Sequence, residues 1–132
     1  MKYPYIQFRN RFLPIIPIRF RLGNNDWIEF KAYVDSGAGY SVFHESVIEI
    51  LGLELEDGHK EYITVGDGSL IPVYMHRIVV QLAGEEIEAM IGFSKHLGIG
   101  FNIIGRRDIF ERFKVCFMET ARVVEFIRGA GH

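Results

Sequence analysis

The chain has 132 residues, of which 48% are hydrophobic and 24% charged, and its formal net charge is −2 at pH 7. This length and composition predict one globular domain with its own core and exclude wholesale disorder. The near-neutral charge argues against nucleic acid or an anionic membrane as a partner. A single cysteine among scattered histidines gives neither a disulfide nor a metal-ligand spacing, so no metal or other cofactor is expected.

The N-terminal segment combines basic residues with an apolar run, but two prolines interrupt this run and no cleavage site follows it. A signal peptide is therefore not expected. No apolar stretch reaches the length of about 18 residues that a membrane-spanning helix needs. We expect a cytoplasmic protein with a single domain over residues 1–132, whose core covers about 15–118.

Most of the chain alternates apolar and polar residues, which is typical of half-buried strands. The elements predicted in this way are a hairpin at 15–34 that turns at 23–26, a hairpin at 61–81 that turns at 66–68, and single strands at 87–91, 101–104, 115–117 and 122–127. Proline cannot donate to a strand ladder, so Pro14 and Pro17 place the first strand at a sheet edge or at its entry.

Two short segments have helical spacing instead. Residues 45–51 place apolar side chains on one face, and Gly52 follows them as a stop signal. Residues 107–113 have a similar spacing, which predicts a second helix. The whole pattern indicates an all-β domain, a closed barrel with one or two short helices.

The sequence Asp35-Ser36-Gly37-Ala38 comes directly after the second predicted strand. A carboxylate on such a tight loop can accept hydrogen bonds from backbone amides and can act as a base toward water. The same residue types also form ordinary turns. By itself, the motif leaves both interpretations open.

A second element lies about seventy residues later, where Ile103 and Ile104 precede Gly105 and Arg106. Taken alone, it predicts a buried strand before a helix start. Combined with the Asp35 motif and a glycine-containing hairpin tip at 66–68, it resembles the retropepsin-like family, the retroviral-type aspartic proteases, over residues 17–117. Residues 92–117 are most similar to the prokaryotic single-domain branch.

The resemblance implies a role for each matching residue. Asp35 is expected to be catalytic, and Ser36 to form a hydrogen bond across a dimer axis. Gly37 is expected to line the substrate channel, with Ala38 beside it. The expected flap tip consists of Gly66, Asp67 and Gly68, and the residues expected to pack behind the catalytic loop are Ile103, Ile104, Gly105 and Arg106. Viral members commonly carry an acidic residue where this chain has Gly39, and that residue pairs with the arginine. The sequence therefore leaves the partner of Arg106 undefined.

One carboxylate cannot both take a proton from water and give one to the peptide carbonyl, and the chain holds one such motif. The resemblance therefore implies a homodimer in which two Asp35 side chains share one proton, with the termini as candidates for its interface. The expected activity is cleavage of an extended peptide or protein substrate under the flaps, with a bell-shaped pH dependence on the acidic side. The alternative is a dimeric module of the same fold that binds peptides or proteins without cleaving them.

Overall fold

The computed structural model describes residues 1–65, 67–97 and 100–129. The strands are β1 (Lys2–Pro4), β2 (Ile6–Phe8), β3 (Arg11–Leu13), β4 (Ile15–Arg21), β5 (Trp27–Val34), β6 (Ser41–His44), β7 (His59–Thr64), β8 (Leu70–Leu82), β9 (Glu85–Ser94), β10 (Asn102–Ile104), β11 (Phe113–Met118) and β12 (Val123–Arg128). An α-helix, α1, covers Glu45–Ile50, and short 3-10 and π-type turns cover Leu55–Asp57 and Arg106–Phe110. The predicted all-β class is confirmed.

Seven strands form one sheet in the order β4-β5-β10-β6-β9-β8-β7. A further pairing between β4 and β8, through Arg19 and Phe20, closes this sheet into a barrel. Phe20, Phe43 and Phe93 are fully buried in the core, and the ring centroids of Phe20 and Phe43 lie 4.7 Å apart. Burial of each such ring stabilises the fold by about 2 kcal/mol.

Strand β10 lies between two strands that are far from it in sequence. It runs parallel to β5, with Ile103 opposite Tyr33, and antiparallel to β6, with Ile103 opposite Val42. Since β5 ends and β6 begins on either side of residues 35–40, β10 is placed directly behind that loop.

Both predicted hairpins and the first predicted helix are confirmed, as β4–β5, β7–β8 and α1. The edge position predicted for the first strand holds for only part of it. Pro17 pairs with Lys31 of β5 on one side, and among the described residues no strand pairs with its other side. At Arg19 and Phe20 the strand is paired on both sides, so closure of the barrel removes the edge there.

The helix predicted at 107–113 is wrong. Within Arg106–Phe110, Asp108 has a left-handed φ of 64° and Arg107 an extended ψ of 127°. The Asp108 carboxylate accepts the Met90 N–H at 2.8 Å, and the main-chain N–H of Asp108 donates to the Glu111 carboxylate at 2.6 Å. The main chain forms a wide turn instead of an α-helix, with the Glu111 N–H donating to the Arg106 carbonyl at 3.2 Å, while Ile109 is still fully buried.

The N-terminal strands were not predicted. Strand β1 pairs with β12, which also pairs with β11, so three strands form a terminal sheet. Strands β2 and β3 form a separate two-stranded hairpin. We refer to this hairpin, residues 6–13, as the arm. In the part of the chain that the structure describes, no helix is long and apolar enough to cross a membrane.

Candidate active site

Asp35 follows the last residue of β5 and is held in a tight loop. Its N–H donates to the Ile104 carbonyl at 3.0 Å, and its Oδ1 accepts the Gly37 N–H at 2.9 Å. The Ala38 N–H donates to the Asp35 carbonyl at 3.2 Å. Asp35 is half-buried, whereas Ser36 and Gly37 are exposed. A second molecule can therefore approach the carboxylate from the solvent side.

The segment after β10 fixes this loop from behind. The Arg106 N–H donates to the Ala38 carbonyl at 2.9 Å, and the Arg107 N–H donates to the Gly39 carbonyl at 3.0 Å. The Arg106 side chain reaches further, since its Nε donates to the Ser36 carbonyl at 2.8 Å. Gly39 has no carboxylate that could pair with Arg106. The main-chain oxygen of Ser36 is the partner instead.

Gly105 lies against the main chain of the same loop. A Cβ atom at this position would overlap the Tyr40 carbonyl oxygen and would lie 2.8 Å from the Ala38 carbonyl oxygen. The Gly105 N–H donates to the Ser41 Oγ at 3.0 Å, and Ser41 is fully buried. Only glycine allows β10 and the Asp35 loop to approach this closely.

We expect Ser41→Ala to lower the free energy of unfolding by about 2 kcal/mol, because the Gly105 N–H would remain buried without an acceptor. Urea unfolding followed by circular dichroism measures this change. Ser46→Ala, at an exposed position of α1, is the matched control and should leave stability unchanged. Equal stability of the two variants would show that the Ser41–Gly105 bond is dispensable.

Asp35 and Ser36 form part of the wall of a groove of about 550 Å³. The arm, β5 and the terminal sheet provide the rest of its lining, which consists of Tyr5, Arg11, Phe12, Leu13, Pro14, Tyr33, Val34, Phe117, Glu119 and Arg122. The Tyr5 hydroxyl donates to the Glu119 carboxylate at 2.8 Å. Burial, followed by this bond, raises the pKa of Tyr5 to about 12, so Tyr5 stays a neutral donor at all moderate pH values.

The tip of the β7–β8 hairpin is held by local hydrogen bonds. Asp67 and Gly68 are described there, while Gly66, predicted as part of the flap tip, lies outside the described residues. The Ser69 hydroxyl and N–H both donate to Asp67 Oδ1, which lowers the pKa of Asp67 below its ordinary value. A lowered carboxyl pKa stabilises a structure until the pH falls through the lowered value, so this turn persists at mildly acidic pH.

The base of the same hairpin packs against the strand that follows the Asp35 loop. Val42 of β6 forms a small buried cluster with Val73 and Met75 of β8. Tyr40 and Ile63, which are partly buried, pack against this cluster. The hairpin and the loop therefore share a common apolar base.

Several residues that position the site could not be recognised from the sequence pattern. Asn102 links the strands on both sides of β10, because its Nδ2 donates to the Lys31 carbonyl at 3.2 Å and its Oδ1 accepts the His44 N–H at 2.9 Å. A lone amide within an apolar strand was the available signal. Ser41 gave no such signal. Most groove residues from the two termini, which are residues 5 and 11–14, Glu119 and Arg122, lie outside the segment that carries the resemblance.

Among residues 1–65, 67–97 and 100–129, no three His, Cys, Asp or Glu side chains come together in a way that could hold a metal ion. The Asp35 loop itself provides a carboxylate, a neighbouring hydroxyl and exposed main-chain groups.

Neither a protein-family model nor a curated protein matches this chain. A solved structure of EIAV protease, in complex with the inhibitor HBY-793, is similar to it with a TM-score of 0.56 and 19% sequence identity, over 80% of this chain and 92% of the viral one. At this identity the comparison shows the fold, which is retropepsin-like. Because the match is to a retroviral protein, the similarity to the prokaryotic branch stays a prediction.

Proposed function

We propose that this protein is an aspartic endopeptidase that acts as a homodimer, with Asp35 of each subunit at a two-fold axis. The observation that carries the proposal is the fixed Asp35 loop. Its carboxylate directly follows a barrel strand and is open to a groove, and the segment 104–107 holds the main chain of the loop from behind. The retropepsin-like fold supports a peptidase activity in general terms.

In the proposed mechanism, the ionised Asp35 of one subunit takes a proton from water as the water oxygen attacks the peptide carbonyl carbon. The protonated Asp35 of the other subunit gives its proton to the carbonyl oxygen. The C–N bond of the tetrahedral intermediate then breaks, and the leaving nitrogen receives a proton from a carboxyl group. Two carboxyl groups are needed because one group cannot be acid and base at the same moment.

The neighbouring loop residues take supporting roles in this proposal. The exposed Ser36 hydroxyl bonds across the axis, and the exposed Gly37 main chain borders the substrate. Ala38 fixes the turn through its N–H, and Arg106 holds the Ser36 carbonyl. All of these groups lie on elements that the barrel fixes, which is what precise positioning of two carboxylates requires.

The β7–β8 hairpin acts as the flap in this proposal, and Asp67 and Gly68 lie at its tip. Tyr62 and Leu70 on this hairpin are 61% and 63% exposed, so they are available to contact an apolar substrate side chain. An extended peptide would lie between the flap and the Asp35 loop as an added strand. Closure of the flap would exclude water from the reacting bond.

We expect a bell-shaped pH dependence of kcat/KM with its optimum on the acidic side. The pair is active with one shared proton, so activity falls when the pair binds a second proton or loses the shared one. Initial rates on one peptide from about pH 3 to about pH 8 measure this profile. A rate that keeps rising above neutrality would argue against the shared proton.

The direct test is an assay of the wild-type protein on a peptide library, with pepstatin-type inhibition as a control. Cleavage products support the endopeptidase. A dimer that binds peptides and leaves all of them intact supports the alternative, a binding module of the same fold. A cytoplasmic location is part of the same proposal.

A further inference from the structure

We infer that Arg106 and Arg107 select peptide substrates that carry a carboxylate close to the bond that is cleaved. This role rests on the proposed function, because it needs a peptide bound at the Asp35 loop. It goes further by specifying the substrate class, acidic peptides, and the side chains that recognise it.

The two arginines contact opposite ends of the Asp35 loop. The Arg106 Nε donates to the Ser36 carbonyl at 2.8 Å, and the guanidinium carbon of Arg107 lies 5.8 Å from the centroid of the Tyr40 ring. Both arginines are exposed. Two positive charges are therefore held beside the loop whose carboxylate is proposed to cleave the peptide.

Neither arginine has a carboxylate partner within the part of the chain that the structure describes, where the ion pairs involve other residues. The acidic side chains nearest to them in sequence bind elsewhere. The Asp108 carboxylate accepts the Met90 N–H at 2.8 Å, and the Glu111 carboxylate accepts the Asp108 N–H at 2.6 Å. A carboxylate that arrives with a substrate therefore does not have to displace an internal one.

The loop also leaves space for such a carboxylate. Gly39, whose carbonyl accepts the Arg107 N–H at 3.0 Å, is exposed, and a Cβ atom there would meet no atom within 4 Å. Arg106 bonds to the Ser36 carbonyl through Nε, and its terminal nitrogens have no acceptor among the described residues. These nitrogens are the donors with which an arginine binds a carboxylate.

The position of the contact indicates where the acidic residue lies in the substrate. Arg106 touches the residue next to Asp35, and an extended peptide advances about 3.3 Å per residue. The selected residue should therefore lie within about three positions of the cleaved bond. A two-fold dimer repeats the same arginines on the other side, so an acidic residue is favoured on either side. Because this contact is remote from the reacting atoms, it should lower KM rather than raise kcat.

The experiment uses a peptide library in which every member occurs in two forms, with Glu or with Gln at one position. Cleavage gives the Glu-to-Gln ratio of kcat/KM, and fluorescence anisotropy gives the ratio of affinities. In the wild type, at least one position near the cleaved bond should favour Glu at least about tenfold, mostly through KM. Arg107→Gln should lower this ratio at least about threefold. Arg112→Gln, which removes another exposed arginine, is the matched control and should leave it unchanged.

Gly39→Asp is the sharper test, because it supplies an internal carboxylate beside the arginines. The open space at Gly39 accepts the new side chain, and the Glu-to-Gln ratio should fall to about one. Gly39→Asn, which has the same shape without the charge, should keep the wild-type ratio. Each variant is judged by the ratio between two peptides, so a change in its overall rate does not affect the result. Circular dichroism shows whether each variant is folded, and Arg107→Gln keeps the test decisive if Gly39→Asp unfolds.

A wild-type ratio of about one at every position would overturn the inference, and so would a ratio that persists in either folded variant. The outcomes also separate it from the proposed function. A wild type that cleaves peptides without favouring Glu removes the inference alone. A wild type that binds the Glu forms more tightly and cleaves none of them removes the peptidase activity alone. A wild type that neither binds nor cleaves peptides removes both.

Discussion

Replacing Asp35 by asparagine is expected to abolish peptide cleavage while the protein remains folded. The asparagine carbonyl oxygen can still accept the Gly37 N–H that Asp35 Oδ1 accepts at 2.9 Å, so the loop keeps its shape. An amide, however, cannot take a proton from water, and loss of acid–base catalysis should reduce kcat by at least about 10³-fold. Initial rates on a peptide identified from the library, with circular dichroism of both proteins, measure the effect.

Asp57→Asn is the matched control. Asp57 is an exposed carboxylate in the turn before β7, so its substitution should leave the cleavage rate unchanged. A mixing experiment extends the test to the dimer. When equal amounts of wild type and Asp35→Asn exchange subunits, the mixture should have about a quarter of the activity of wild type at the same total protein concentration if only wild-type pairs cleave. About half of that reference activity would mean that each subunit acts alone, which contradicts the shared site.

The second large effect is expected for Gly105→Ala. The added methyl group would overlap the Tyr40 carbonyl oxygen and press on the Ala38 carbonyl oxygen. Either β10 or the Asp35 loop must move, so the free energy of unfolding should fall by about 3 kcal/mol and the variant should lose most of its activity. Urea unfolding and peptide cleavage measure the two consequences separately.

Gly23→Ala provides the comparison, since a Cβ there meets no atom within 4 Å and its φ is not left-handed. It should unfold at nearly the same urea concentration as the wild type. If Gly105→Ala were equally stable, β10 and the Asp35 loop would be able to separate at no cost, and the loop would not be fixed as described.

Local sequence patterns correctly predicted the strands and the helix whose apolar spacing can be recognised within a few residues. The β4–β5 and β7–β8 hairpins and α1 are of this kind, because alternation and apolar spacing are properties of adjacent residues. Strands β1 to β3 have three residues each, which is too short for alternation to be recognised. The helix expected after residue 106 does not form, because the Asp108 carboxylate accepts a hydrogen bond from the Met90 N–H of β9, which the local sequence does not reveal.

The candidate site was predicted in part, and from resemblance rather than from spacing. Nothing in the local pattern brings Asp35 next to Ile104 and Arg106, about seventy residues away in the chain. The structure places them together because β10 enters between β5 and β6. The Ser36 carbonyl as partner of Arg106 was not predictable, since a main-chain acceptor leaves no mark on the sequence.

The late position of β10 in the chain also determines when the Asp35 loop can form its supporting hydrogen bonds. During synthesis, residue 35 leaves the ribosome long before Ile104, Arg106 and Arg107, whose main-chain groups hold its loop. Contacts over such a separation form only after a costly loop closure. A nascent polypeptide therefore carries Asp35 on an unsupported loop until β10 and the residues that follow it have been synthesised.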